Sequence, residues 1–209
     1  MNAINLYARD TLELMSEEAP DVSLIQSNQQ VIEKMVVRID RILTDLKDTV
    51  AIEQGRLALN LAPMRLSKLL KEVSGTYFGK DASGGNELVL DIDENLLPIS
   101  ADYARIVQVV TNLLSNAIQH TKAGRIRITL YKQGGEQIVV IADNGEGMKE
   151  EIREQVFKGY ISSDKEYWRH GIGLYVSHQI IEAHDGRIWI ESKLGEGTTV
   201  TFTLPDEEK

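Results

Sequence analysis

The chain opens with an apolar repeat of helical period. Ile25, Ile32, Met35, Ile39, Ile42 and Leu46, with Asn28 and Thr49 at two polar positions, follow one another in alternating steps of three and four. That spacing predicts a helix whose seam packs against other helices. Residues 2 to 18, carrying Ile4, Tyr7 and Leu14, predict a shorter helix before it. Pro20 predicts the turn between them, and Asp21 or Ser23 can cap the second helix. A lone hairpin would leave its seam in water. A four-helix bundle made by two copies covers it, and packing against the chain's own globular part is the alternative.

Gly55 is expected to end the long helix, so the hairpin is assigned to residues 1–55 and a globular domain to 56–209. Leu57, Leu59 and Leu61 alternate as a strand would, residues 65 to 78 as a helix, and Lys80 to Asn86 as a loop of small residues. Strands are expected at 87 to 92, 125 to 132, 136 to 142, 187 to 193 and 198 to 204, where apolar residues alternate. Helices are expected at 101 to 121, 149 to 157 and 172 to 184. Neighbouring strands that read as hairpins, with helices between other pairs, define an α+β two-layer sandwich, one mixed sheet with three helices on one face.

The 209 residues carry 23 Lys and Arg against 32 Asp and Glu, a net charge of −9 that disfavours nucleic acid or an anionic membrane as a partner. No apolar run approaches the roughly 18 residues of a membrane span. Without cysteine there are no disulfides, thiolate metal sites or cysteine nucleophiles, as suits a cytoplasmic protein.

Four short motifs carry candidate chemistry. Asn112 and Asn116 lie four apart on one helix face, beside the apolar stripe Ile106, Val109, Val110, Leu113 and Ala117. Amide oxygens suit a Mg²⁺ ion whose charge is balanced mostly by phosphates, though a polar helix edge would look the same. Asp143 ends an apolar strand and precedes Asn-Gly-Glu-Gly147. Its carboxylate can accept from an exocyclic amine such as that of adenine, and Gly145 and Gly147 would let backbone approach a flat base. A hairpin turn would read alike, but the acidic, helical spacing of Lys149 to Phe157 speaks against a returning strand. Gly171-Ile172-Gly173-Leu174 opens a helix whose first amides can meet phosphate; a simple turn is the plain alternative. Gly195 to Thr199 joins the last two strands and could be an ordinary hairpin loop. Lys158 to Arg169 has little periodicity and is expected to be a flap, with Lys165 and Arg169 either near phosphate or on a solvated surface.

In this order the motifs resemble those of the histidine protein kinases of two-component signalling, within the superfamily that includes gyrase, Hsp90 and MutL. The resemblance spans nearly the whole chain: Asn112 and Asn116 match the asparagine box, Asp143 to Gly147 the first glycine box, Phe157 the phenylalanine box, Gly171 to Leu174 the second glycine box and Gly195 to Thr199 the last. Ile52 to Leu57 looks like the end of the second dimerisation helix. The resemblance implies that Asn116 chelates Mg²⁺, Asp143 holds the adenine amine with Thr198 supporting it, His120 lies near the nucleotide, and Gly171, Ile172, Gly173 and Leu174 line the phosphates of ATP. It also implies a homodimer and a response regulator receiver domain as partner. Gyrase-type members carry a water-activating glutamate where this chain has Asn112, which favours phosphotransfer over hydrolysis.

Some positions depart from the pattern. Gln119 stands where lysine is frequent, and Arg169 replaces the first of three lid glycines. Asn2 to Tyr7 looks like the stretch after the phosphoacceptor motif, yet no histidine precedes His120, so the catalytic acceptor is not identified. None of His170, His178 and His184 has an acceptor context. A fragment beginning just past the motif is expected. A native protein without autokinase function, a nucleotide-binding dimeric adaptor for a response regulator, is the alternative.

Overall fold

In the computed structural model, which describes residues 3–16, 21–54, 57–78, 85–157 and 171–206, the amino-terminal repeat forms two helices, α1 (Ala3–Met15) and α2 (Val22–Glu53). Asp21 caps α2 as its residue type predicts. Its Oδ1 accepts from the Ser23 hydroxyl at 2.7 Å and the Leu24 amide at 3.1 Å. Asn28 interrupts the seam for a reason the spacing hides. It is buried, and its Nδ2 donates to Asp10 Oδ2 at 2.7 Å, tying α2 to α1. Along the seam Ile39 and Leu46 each remain 44% exposed. The turn at Pro20, the stop at Gly55 and the flap from Lys158 to Arg169 lie outside the described residues, as do residues 80 to 84 of the expected loop.

The chain divides into two compact units, Met1–Val50 and Ala51–Lys209. In the second, a sheet of order β2-β4-β5-β7-β6 is built from β2 (Glu87–Ile92), β4 (Arg125–Gln133), β5 (Glu136–Asp143), β6 (Arg187–Lys193) and β7 (Gly197–Pro205). β2 runs parallel to β4 and the other pairs are antiparallel, so the sheet is mixed as expected. Helices α3 (Leu66–Tyr77), α4 (Tyr103–His120) and α6 (Gly171–Ala183) bury their apolar stripes against Ile126, Ile128, Val139, Ile141, Val200 and Phe202 of the sheet. Strand alternation sends Arg127, Thr129 and Tyr131 to the opposite face.

Three local expectations change. Leu57, Leu59 and Leu61 do not form a strand: among the described residues no strand pairs with them, and alternation alone supplies no ladder partner. The strand starts later, as β1 (Ala62–Met64), and pairs antiparallel with β3 (Ile99–Ala101), which the apolar pattern was too short to reveal. The helix expected over 149 to 157 shrinks to α5 (Glu150–Arg153), a single turn followed by turns to Phe157. Phe202 lies fully buried in the middle of β7. Phe202→Ala should therefore cost about 3–5 kcal/mol, read as a lowered urea midpoint of the second unit.

Candidate functional site

The site is built along the carboxyl-terminal half of α4. Asp102 caps this helix, with Oδ1 accepting the Arg105 amide at 3.2 Å. Ile106, Val109, Val110, Leu113 and Ala117 enter the core as their spacing predicts, which leaves Asn112 and Asn116 on the adjoining stripe. Asn112 is buried against the first turn of α6. A Cβ on Gly173 would stand 2.4 Å from Asn112 Oδ1, so only glycine admits the contact. Asn112 Nδ2 donates to Ser177 Oγ at 2.9 Å, whereas its Oδ1 is buried with no hydrogen-bond partner. A buried amide oxygen left bare costs about 1–3 kcal/mol, so the position is disposed to accept a ligand or ion.

Eight residues further on, about 12 Å along the helix axis, α4 ends beside Asp143. Asp143 closes β5 in register with Thr198 of β7 and Ile126 of β4. Its Oδ1 accepts the Gly145 amide at 2.9 Å. Burial pushes its carboxyl above the ordinary carboxylate range; the Gly145 and Thr198 amides, the Thr121 hydroxyl and the His120 ring oppose that push. The Thr121 hydroxyl is itself buried without a hydrogen bond of ordinary geometry, so its effect on Asp143 is through proximity. His120 Nδ1 meets Glu146 Oε1 at 2.5 Å across the mouth of the turn.

The glycine turns lie on other backbone. A Cβ at Gly145 would fall 2.2 Å from the His120 carbonyl oxygen, one at Gly147 (φ +65°) 2.0 Å from that of Lys193, and one at Gly197 (φ +102°) 2.1 Å from that of Asp143. The missing side chains of Gly145 and Gly147 thus admit protein backbone. Gly195 meets nothing and serves its turn through φ +81° alone, while its amide donates to Glu146 O at 2.7 Å. The Thr198 main-chain amide, opposite Asp143 across β5 and β7, lowers the Asp143 carboxyl by its proximity. Its hydroxyl is engaged with Ser192 Oγ at 2.9 Å. Ser192 gives its one proton to Gly197 O and accepts the Met148 amide, so Thr198 is the donor of that pair.

The expected residues therefore gather in two linked groups on one helix. Asn112 with Gly173 forms one, His120 with Asp143, Gly145 and Thr198 the other, and Asn116 lies between them on α4. Gly171 and Ile172 open α6, while the Leu174 side chain is buried in the core. Phe157 packs its ring 5.3 Å from that of His178 on α6. Ser177 and Ser192 were missed by the motif reading. Each is a polar residue at a core-facing position, Ser177 between Leu174 and Ile181 and Ser192 after Ile188 and Ile190, and that misfit is the signal that finds them.

A mixed sheet with asparagines on one covering helix, a glycine-opened second helix and a buried aspartate at a strand end defines a nucleotide-site class of sandwich. A family model described as "Histidine kinase-, DNA gyrase B-, and HSP90-like ATPase" matches residues 101–208. The chain belongs to that family. It is 32% identical over 173 residues to the circadian input-output histidine kinase CikA of Synechococcus elongatus, covering 79% of this chain and 23% of that protein. It is 29% identical over 205 residues to the adaptive-response sensory kinase SasA of Gloeothece citriformis, covering 95% and 52%. The chain thus spans about half of that relative and less of the first. Among solved structures, the catalytic domain of histidine kinase ThkA superposes with TM-score 0.62 at 29% identity, covering 70% of this chain and 96% of that one. Acinetobacter baumannii histidine kinase AdeS shares the fold over 99% of this chain and 96% of its own, with TM-score 0.70 at 23% identity.

The raised carboxyl of Asp143 has a consequence for stability. The folded chain holds that proton more tightly than the unfolded one, so its contribution is greatest in acid and is lost as pH rises from the ordinary value of 3.8 through the folded one. Without nucleotide, the stability of Asp143→Asn relative to the parent should improve between pH 4 and 7 in urea titrations. A difference independent of pH would show that burial of this carboxylate costs nothing.

Proposed function

We propose that this chain is the ATP-binding catalytic part of a sensor histidine kinase, which delivers the γ-phosphoryl group of Mg·ATP to a histidine on a dimeric helical bundle for relay to a response regulator aspartate. The observation that carries the reading is the bare Asn112 oxygen, buried against the glycine-opened first turn of α6 at one end of the site whose other end is Asp143. Asp143 would accept the adenine amine in place of water. The first-turn amides of α6, from Gly171 to Leu174, would meet the phosphates, where unpaired N–H groups and the helix dipole favour an anion.

The donor set fits a magnesium ion held through amide oxygens. Among the described residues no three His, Cys, Asp or Glu side chains gather as a metal site, so Asn116, with Asn112 beside it, would share the ion with the phosphates. The ion would supply charge neutralisation on the transferring group. The protein's part is then positioning and fixed dipoles, which is most of what phosphoryl transfer asks of an enzyme.

Two further parts of the reading rest on separate observations. Ile39 and Leu46, 44% exposed on the hairpin seam, support a homodimer closed as a four-helix bundle. A response regulator partner is supported by the ThkA structure solved in complex with response regulator protein TrrA, which matches this fold with TM-score 0.66 at 24% identity over 99% of this chain. No described helix is long and apolar enough to cross a membrane, and the net charge of −9 is unsuited to nucleic acid, in keeping with action in the cytoplasm. A dimeric adaptor that binds nucleotide without transferring phosphate is the competing reading.

Mg·ATP at about a hundred times its dissociation constant should stabilise the second unit by roughly 2.7 kcal/mol, seen as a raised melting temperature. Asn116→Ala should remove most of the Mg²⁺-dependent part of that shift, and an unchanged Mg²⁺ dependence would exclude Asn116 as a ligand. With radiolabelled ATP the chain alone should take up no base-stable, acid-labile phosphate. Mixed with a separate dimeric helical bundle that bears an acceptor histidine it should label that histidine in trans, slowly, because no covalent link raises the local concentration. Failure to label any such bundle would favour the adaptor.

A further inference from the structure

His184 follows the last residue of α6, at the opposite end from Gly173, and its ring is buried. One ring nitrogen, Nδ1, lies 2.7 Å from the carbonyl oxygen of Ile180. The other, Nε2, accepts the Asp102 amide at 3.0 Å. A carbonyl can only accept and an amide can only donate, so the proton must be on Nδ1 and Nε2 must be bare. The ring is therefore neutral and in one tautomer. It satisfies a last-turn carbonyl of α6, freed because the His184 amide turns to Ile181 O instead, and the amide of the residue that caps α4. A single side chain stitches the end of one nucleotide helix to the start of the other.

The two helices run antiparallel, since Asp102 meets His184 and Asn112 meets Ser177. They are thus fastened at two points, about 15 Å apart along α4 and about 10 Å along α6, one beside the bare Asn112 oxygen and one at the His184 ring. The second point carries a third connection. While Asp102 Oδ1 caps α4, Asp102 Oδ2 accepts the Asn60 amide at 2.8 Å. Asn60 lies in the irregular segment 57–61 that follows α2 in the chain. Among the described residues this is the one hydrogen bond that holds the segment, whose Leu61 is half exposed.

We propose that the Asn60–Asp102–His184 hydrogen-bond chain couples the segment following α2 to the nucleotide helices, with Asp102 and His184 as positioning residues for nucleotide binding. The inference rests on the nucleotide reading above. Any displacement of Asn60 acts on the cap of α4 and, through the Asp102 main chain, on the end of α6. The spacing between Asn112 and the first turn of α6 is set by the same two helices. Coupling of this kind is reciprocal: what the segment does to nucleotide affinity, nucleotide must do to the segment.

The test uses the whole chain, isotopically labelled, with MgADP as the probe. Long-range proton–nitrogen NMR of the His184 ring should show the Nδ1–H tautomer in the nucleotide-free protein; the Nε2–H tautomer would overturn the chain of bonds without reference to nucleotide. Saturating MgADP should slow hydrogen exchange of the Asn60 amide about tenfold, and an unchanged rate with nucleotide bound would overturn the coupling. His184→Leu, which lacks both donor and acceptor, should weaken MgADP at least about fivefold and abolish the Asn60 response. His184→Gln, which keeps one of each, should restore both. A merely structural histidine would lower the melting temperature in His184→Leu yet leave affinity and the Asn60 response intact below it, which would overturn the proposal. If His184→Leu does not fold, the wild-type measurements and His184→Gln decide alone. No effect of MgADP on wild-type melting would instead sink the nucleotide reading, and the coupling with it, while the tautomer result would still stand or fall by itself.

Discussion

At the carboxyl end of β5, main chain lies directly on main chain. The turn after Asp143 rests on the end of α4 and on the β6–β7 turn, with hypothetical Cβ positions at Gly145, Gly147 and Gly197 all within about 2 Å of carbonyl oxygens. Any side chain there would pry the turns apart. Because they cannot separate, the Asp143 carboxylate is aimed by its neighbours' amides and held beside His120, and Ser192 and Thr198 lock the third edge of the same junction. α4 then extends this fixed corner to Asn112, where a fourth glycine, Gly173, lets α6 close on it. The site is a consequence of four places where backbone must approach something closely.

That rigidity has a thermodynamic counterpart. Asp143 is held in a setting that disfavours its charge, and Asn112 keeps a buried oxygen unpaired. Each is a local cost that a compact fold without a ligand would have no reason to retain. Under the proposed function an exocyclic amine would relieve the first and a cation or its water the second, so two unfavourable features of the free chain would become favourable ones in the complex. The antiparallel pairing of α4 with α6 keeps the two at a set separation.

Much of this was legible in the residues because helical and strand periods leave strong marks. The stripe from Ile106 to Ala117 placed both asparagines on α4, and the alternation of Val200, Phe202 and Leu204 placed β7. Where pattern failed, the missing information was a partner. Leu57, Leu59 and Leu61 alternate but have no strand beside them among the described residues, while three-residue β3 has a partner and almost no pattern. The acidic run after Met148 begins a helix that ends within one turn. Thr198 was legible by position, yet its hydroxyl is turned to Ser192, a pairing that no side-chain identity encodes. The pairings of Ser177, Ser192 and His184 join positions up to 82 residues apart in sequence and become visible only once the helices and strands are packed.

Under the proposed function, Asp143 reads adenine. Adenine presents an amine donor where guanine presents a carbonyl acceptor, and an ionised carboxylate, held by the Gly145 amide, has no proton to offer instead. Calorimetric titration of the chain with Mg·ATP and Mg·GTP under the same conditions tests this directly. ATP should bind at least about a hundredfold more tightly, because guanine would leave two acceptors facing each other in a half-buried site. Equal affinity for the two nucleotides would remove Asp143 from the adenine role.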